Sequence, residues 1–478
     1  MKKRILYSVL VLFLLTDLAY SFAQHLSQPM DGDMANNIVP GSAVAPVLKS
    51  PFGLGVITAH QTYLNPNRFF AHYTMKKYFE VTPLFLQRFV EPIDSIYLSC
   101  ALIKILTQLA LIILLSIAIT GSLNFFKLDL IIAAALITPL FQSEGYQSYM
   151  GIIDRSTTYT FFYALPVLFL LFYLTPLVLQ YYHEKKPVPR FLIYLLWIPL
   201  AIFISLSGPL NPGIVLIFSI LLFANSFITN YIYSNHNKFI KRVQLSISAI
   251  PGGYWFYLVP ISLFSLYSLY IGRNNSTDIH LPLKELYSRI PAGIYYPLTK
   301  KLGFPVLLFI ISMNQIIISR YFKTKEGKRI TSVVKWIGIF SLFYILLLPL
   351  GGSRDYRPNV LRYDTYLPIT LSLVFIFGLS TLFLFKNLTS GHRKWYIPVI
   401  CSAMLFFTIN DEPHFDKNKC ERAALKEISE SKSLIVPIKC DCNILSWGQI
   451  KRPQESQLNS ELLYMWNVTK VRKLYYNE

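Results

Sequence analysis

Charge is what this chain has least of. Only 15% of its 478 residues are Asp, Glu, Lys or Arg, and 53% are hydrophobic, whereas a soluble domain carries about 25% charged residues. That excludes a water-soluble globule, and with it any count of domains from length. Acids are scarcer than bases, 25 against 45, leaving a formal net charge of +20. The bases lie in short loops between apolar runs and form no clustered face, so no nucleic-acid partner is expected. The chain has no P-loop, no GxGxxG after a strand, no HExxH and no GxSxG, which leaves soluble nucleotide-driven chemistry without support. It has no repeat period and no low-complexity tract. Cysteine is sparse, at five. Cys100 and Cys401 sit in apolar runs and read as small buried hydrophobes. Cys420, Cys440 and Cys442 fall in a polar tail, where Cys420 is expected to pair with Cys440 or Cys442 and leave one odd thiol. A metal site built from these three with His414 is the weaker reading, because the spacing matches no common zinc pattern.

What is abundant is apolar length. Runs near 5–22, 96–120, 128–141, 159–182, 191–207, 213–233, 253–271, 304–319, 334–350, 366–385 and 396–409 predict an all-α polytopic transmembrane bundle of about eleven spans. Several runs carry proline, at Pro166, Pro176, Pro199 and Pro260, which neighbouring helices in a bundle can accommodate. With the N-terminus inside, the inner loops hold about nineteen Lys and Arg against about three acids, in agreement with the positive-inside rule. The start Met1-Lys2-Lys3-Arg4 also fits a signal peptide, but Asp17 and the length of the run favour an uncleaved first span. Residues 1–409 are then a transmembrane domain, and 410–478 a small extracytoplasmic appendage. In that appendage Glu421–Ser429 reads as helix and Ser433–Lys439 as strand, giving a small α/β unit. The outer loop 24–94 is loop from Pro40 to Pro66. Beyond it, Asn67–Val90 alternates apolar and basic positions, the pattern of one or two interfacial amphipathic helices. The expected location is the inner (plasma) membrane of a bacterium, with the working face outside the cytoplasm. Within the spans, Asp17 and Lys104 are the ionisable groups, and a structural pairing of the two is favoured over a proton relay.

The unusual polar residues gather on one side. The first outer loop reads Pro29-Met30-Asp31-Gly32-Asp33-Met34. The second holds Glu144, Asp154 and Arg155. A late outer loop runs Arg354-Asp355-Tyr356-Arg357 and ends Arg362-Tyr363-Asp364. Bases on the outer side run against the topological bias, and phosphate gives them a reason: the planar guanidinium matches phosphate oxygens with two parallel bonds. Simple structural roles compete. Asp31 suits a turn, Asp33 suits a helix N-cap, and Arg362 can pair with Asp364. A carboxylate that accepts a proton from an attacking hydroxyl must lie within hydrogen-bond reach of it. A cation site needs several oxygens, which Asp154 or Glu144 could supply beside the first pair.

This layout resembles the GT-C superfamily of polytopic glycosyltransferases: acids in the first outer loop (Asp31, Asp33), interfacial helices before the second span, an acid in the second outer loop (Asp154, with Glu144), and a polar C-terminal part outside. The resemblance implies transfer of a sugar from a polyprenyl-phosphate donor to a glycan, lipid or protein acceptor at the extracytoplasmic face. It implies that Asp33, with Asp31 and Asp154, provides the catalytic carboxylates, Asp33 acting as base in an inverting displacement. Arg354, Arg357, Arg362 and Arg155 would hold the lipid phosphate, with Asp364 and Tyr363 nearby, and a divalent cation, Mg or Mn, is an optional companion. Three other classes compete. A ligase that moves a whole glycan from a lipid diphosphate, as in O-antigen ligation, also uses Arg in a late outer loop. A transporter or flippase of lipid-linked saccharides calls for midplane charges and internal repeats. A membrane scaffold would leave the acids and arginines unconverged.

Overall fold

The structure is a computed structural model that describes residues 2–141, 150–185, 190–234, 238–279, 281–354, 359–413 and 415–478. Glu144, Arg357, His280 and His414 lie outside the described residues. The apolar runs form helices Lys2–Leu26, Pro92–Thr120, Leu128–Ile137, Thr157–Tyr182, Arg190–Ser205, Asn211–Tyr233, Gly252–Gly272, Gly303–Tyr321, Lys325–Leu347, Tyr363–Asn387 and Ser390–Ile409. Among the described residues, 8 helices are long and apolar enough to cross a membrane, so the protein is a multi-pass integral membrane protein. The expectation of about eleven spans is met coarsely. Leu128–Leu140 and the apolar stretch Leu196–Ser205 are short of a full crossing, and Ser390–Ile409 is diluted at its start by His392, Arg393 and Lys394.

Helix limits follow local chemistry. Pro92 opens the 29-residue helix Pro92–Thr120 at a position that needs no N–H. Gly121 closes it at φ 66°, its N–H bonded to the Ile117 carbonyl, the left-handed stop that glycine adopts without a Cβ penalty. Helix Tyr363–Asn387 is the hub, with 83% of its apolar window buried, whereas the window of the first helix is 6% buried and faces outward. Packing between helices takes over from sequence propensity here: Asn314 donates to Ser380 Oγ and Thr381 Oγ1 at 2.9 and 3.0 Å and accepts from Tyr396 at 2.8 Å. Such interhelical bonds satisfy polar groups that lipid cannot.

The helix ends sort into two sets. At one end Lys386 meets Asp129 at 2.8 Å, His183 Nε2 pairs with the Ala118 carbonyl, and Glu184 pairs with Lys325 and Arg329. At the other end lie the first loop, residues 150–158, 206–211, 272–279, 348–354 and 359–364, and the tail. There Phe70 N–H reaches the Leu206 carbonyl, Tyr63 bridges Asn275, Ile279 bridges Ser353, and Asn418 N–H reaches the Ser27 carbonyl.

The loop 24–94 contains more helix than its Gly, Pro and Asn content implied: Met34–Ile38, Ala45–Lys49 and Leu54–Ala59 precede the expected amphipathic helix, which is a single unit, Phe69–Leu86. Phe69, Ala71, His72, Met75, Phe79 and Pro83 form its buried face. Val81, Phe85 and Phe89 stay exposed beside Arg88, as at a membrane interface. In the tail, helices Lys419–Glu430 and Gln457–Met465 pack on a parallel pair, β1 (Ile435–Ile438) and β2 (Leu474–Asn477), in register Ile435 to Leu474. Cys420 bridges Cys442, leaving Cys440 as the free thiol. Cys100 is buried, but Cys401 is exposed on the outside of the bundle. The expected pairing of Asp17 with Lys104 is replaced. Lys104 donates to the Arg155 carbonyl, and Asp17 feels the charge of Asp411, because Asp17 lies on the peripheral first helix beside the start of the tail.

Candidate functional site

The first-loop acids divide in role. Asp31 is buried, and its carboxylate accepts three bonds: Asp33 N–H at 3.1 Å, Thr158 N–H at 2.9 Å and Thr158 Oγ1–H at 2.6 Å. It is at once the expected turn former and a tie to the start of helix Thr157–Tyr182. Asp33 stands at the N-cap position of Met34–Ile38 without a side-chain capping bond and is half-buried. The short helix it precedes is braced by Asn37, whose Oδ1 lies 2.7 Å from His72 Nδ1. Burial holds that imidazole neutral, lowering its pKa to about 3.

The second loop meets the late loop. Asp154 is half-buried, accepts the Ser156 N–H at 2.7 Å, and is hydrogen-bonded by the Tyr363 hydroxyl. Loss of water around its carboxyl outweighs these bonds, and with the nearby charge of Asp364 it raises the pKa to about 7. Arg155 is exposed, and its carbonyl takes the buried Lys104 ammonium. Arg362 and Asp364 form a two-bond fork, Nε to Oδ1 at 3.0 Å and Nη2 to Oδ2 at 2.8 Å. The Asp364 side chain is 3% exposed, so the fork keeps a buried carboxylate compensated. The pairing weighed from sequence is therefore present, while Arg362 still faces a cleft.

That cleft, of about 100 Å³, is lined by Tyr163, Asp278, Gly352, Arg354, Asn359 and Arg362 among others. Arg354 donates to Asn65 Oδ1 at 3.1 Å and lies 3.9 Å from Asp278. Asp278 is fixed by Asn275 at 2.8 Å. The charges of Arg68, Arg354, Arg362 and Asp364 all act on the Tyr163 hydroxyl. The late loop, the 272–279 segment and helix Thr157–Tyr182 thus line one basic recess, with Asn65 of the first loop held on Arg354 and Asp154 tied to Tyr363, next to the lining Arg362. Sequence reading missed Arg68, Tyr163, Asn65 and the partnership of Asp278. Arg68 looked like one more base on an interfacial helix, and Tyr163 lay inside an apolar run; no local pattern distinguished either.

Three of the described carboxylates already have partners of their own. Asp31 is occupied by three donors, Asp364 by Arg362, and Asp154 by Ser156 and Tyr363. Hard cations need several converging free oxygens. Among the described residues, the group of three His, Cys, Asp or Glu ligand atoms that does converge is Cys420, Cys440 and Cys442 in the tail.

No family model matches the sequence, and no curated protein matches it. Among solved structures, the chain is similar at low identity to an oligosaccharyltransferase. Three crystal structures of the Archaeoglobus fulgidus oligosaccharyltransferase are similar to it. The complex with Zn and sulfate has a TM-score of 0.44 at 14% identity. The form tethered by a disulfide bond to an acceptor peptide containing the NVT sequon has 0.40 at 12%, and the apo form 0.39 at 12%. Each match covers 88% of this chain but only 57%, 55% and 58% of the tethered, Zn and apo chains. This chain therefore spans little more than half their length. Likeness at this level transfers no residue roles.

Proposed function

We propose that the protein is a membrane glycosyltransferase that takes a sugar from a polyprenyl-phosphate donor at the extracytoplasmic face. The observation that carries this reading is a recess lined by the late-loop Arg354 and Arg362, with the second-loop Asp154, of pKa about 7, tied to Tyr363, the residue after Arg362. Arg354 and Arg362, with Arg68 behind them, suit a phosphate, and Arg357 and Arg155 are retained as further candidates from the same loops. Their charge stabilises the phosphate as it leaves, the largest kind of catalytic contribution in such sites. Asp154 is the better placed base. A carboxyl titrating near 7 accepts a proton at neutral pH, whereas a solvated one is too acidic to do so efficiently. Asp31 then serves as the brace joining the two loops, and Asp33 as a second carboxylate at the same end. The acceptor hydroxyl loses its proton to Asp154 as it attacks the anomeric carbon, and the C–O bond to phosphate breaks with inversion. No metal step is invoked.

The orientation of this end away from the cytoplasm is part of the same proposal. It rests on the basic residues of the opposite loops and on the tail disulfide, which suits an oxidising compartment. The test is native mass spectrometry of the purified protein with a long-chain polyprenyl phosphate. Retention by the wild type and loss in R354A and R362A is expected; equal retention by all three overturns the phosphate assignment.

A further inference from the structure

The tail reaches over the first-loop motif. Gly32, between the two acids, lies so close to the loop 443–449 that a Cβ there would sit 2.4 Å from the Trp447 backbone nitrogen and 2.7 Å from its Cδ1. The ring of Trp447 stands 6.4 Å from that of Tyr159, the residue after the Thr158 that binds Asp31. Asn443 Nδ2 donates to the Trp447 carbonyl at 3.2 Å, and Ser446 Oγ accepts the Gly448 N–H at 3.3 Å, so the loop is held as a turn. Yet the indole is 58% exposed. Indole is the largest apolar surface a side chain offers, and it is ordinarily covered.

We propose that Trp447 is a stacking platform for a pyranose ring beside the first-loop acids, joined through Tyr159 to Tyr163 of the recess. This rests on the transferase reading and adds a saccharide subsite to it. The face of an indole carries negative quadrupolar charge, and the axial C–H groups of a pyranose carry the complementary positive polarisation. The edge of a sugar needs hydrogen-bonding groups: Asn443 is bonded to the Trp447 carbonyl, Asp33 follows the Gly32 that Trp447 covers, and Gln449 lies two residues along the same loop. A bilayer is the other occupant such a ring takes. Insertion needs contiguous apolar surface, and within 440–452 Trp447 is the exposed large hydrophobic residue, among Asp441, Asn443, Gln449, Lys451 and Arg452. The loop chemistry therefore favours a saccharide.

The experiment is saturation-transfer NMR on the full chain in lipid nanodiscs. The probes are methyl α-mannopyranoside, methyl β-glucopyranoside and methyl N-acetyl-β-glucosaminide. Transfer to the ring protons of at least one glycoside is expected for the wild type, with loss in W447A and retention in W447F. The Cys420–Cys442 bridge, mapped in each variant, verifies folding. No signal with any of the three, or a signal unchanged in W447A, overturns the platform. Strong quenching by brominated lipid of the fluorescence that W447F lacks also overturns it, assigning the ring to the bilayer. D154N separates the two readings: sugar contact kept while transfer is lost supports both, and sugar contact in a protein that transfers nothing even as wild type leaves the platform standing and removes the transferase.

Discussion

At the residue scale, the raised Asp154 carboxyl and the Arg362–Asp364 fork make opposite demands. Asp154 is useful because it is poorly solvated, and Asp364 is tolerable because Arg362 compensates it. Replacing Asp154 with Asn is expected to lower transfer by about 10²- to 10⁴-fold, the usual share of a general base. Sugar-transfer rates measured from pH 5 to 9 should rise through about 7 in the wild type, since only the ionised carboxylate accepts a proton, and D154N should lack that rise. Arg362→Ala should cost roughly 3–5 kcal/mol of stability by leaving a buried carboxylate alone. Arg354→Ala should cost less, because Asp278 keeps its bond from Asn275. Thermal unfolding of both variants in one detergent checks the order.

Among elements, the tail helix Lys419–Glu430 is the clamp on the first-loop motif. Its Glu421 is buried and accepts Met30 N–H at 2.9 Å, the Tyr97 hydroxyl at 2.8 Å and Leu445 N–H at 3.0 Å. Burial raises its pKa to about 7 in spite of these bonds. The folded state thus holds a proton that the unfolded state releases near 4.5. Glu421 stabilises most below that value, and its contribution falls as pH rises from about 4.5 to 7. Melting temperatures over that window should decline for the wild type and decline less for E421Q. The neighbouring Cys420–Cys442 bridge closes a sequence separation of 22 and should be worth about 3 kcal/mol. C420S should melt lower than the wild type, a reductant should lower the wild type alone, and a reductant effect on C420S would show that the loss comes from elsewhere.

For the whole molecule, the question is which end faces which compartment. The contacts sort the helix ends into two sets, and the basic segments 183–185, 238–252 and 320–333 belong to the set opposite the tail. In a background with C401S and C440S, which removes the accessible native thiols, membrane-impermeant thiol reagents on intact cells should label Lys432→Cys, and should label Lys328→Cys only after permeabilisation. The reverse pattern would invert the orientation and move the recess to the cytoplasmic side. Much of this scale was legible beforehand, because an apolar run long enough to span must form a helix whatever it packs against. Short apolar runs were less legible. Leu128–Ile137 is helical and lies in the bundle, but its length does not say whether it crosses.

What the sequence determined alone is the membrane class, the position of the helices, the polar tail with its helix and strand, and the gathering of acids and arginines in a few loops. Each is a property of local composition. Only tertiary structure decided the rest. It spent Asp31 as a brace, made Asp154 the poorly solvated carboxyl, brought Tyr163 to the recess and set the charge of Arg68 near it. It chose Cys442 over Cys440 for the bridge and laid Trp447 on Gly32. Solvation and proximity between residues hundreds of positions apart have no local signature, so a motif such as Met30-Asp31-Gly32-Asp33 shows its use only when the distant chain that covers it is in place.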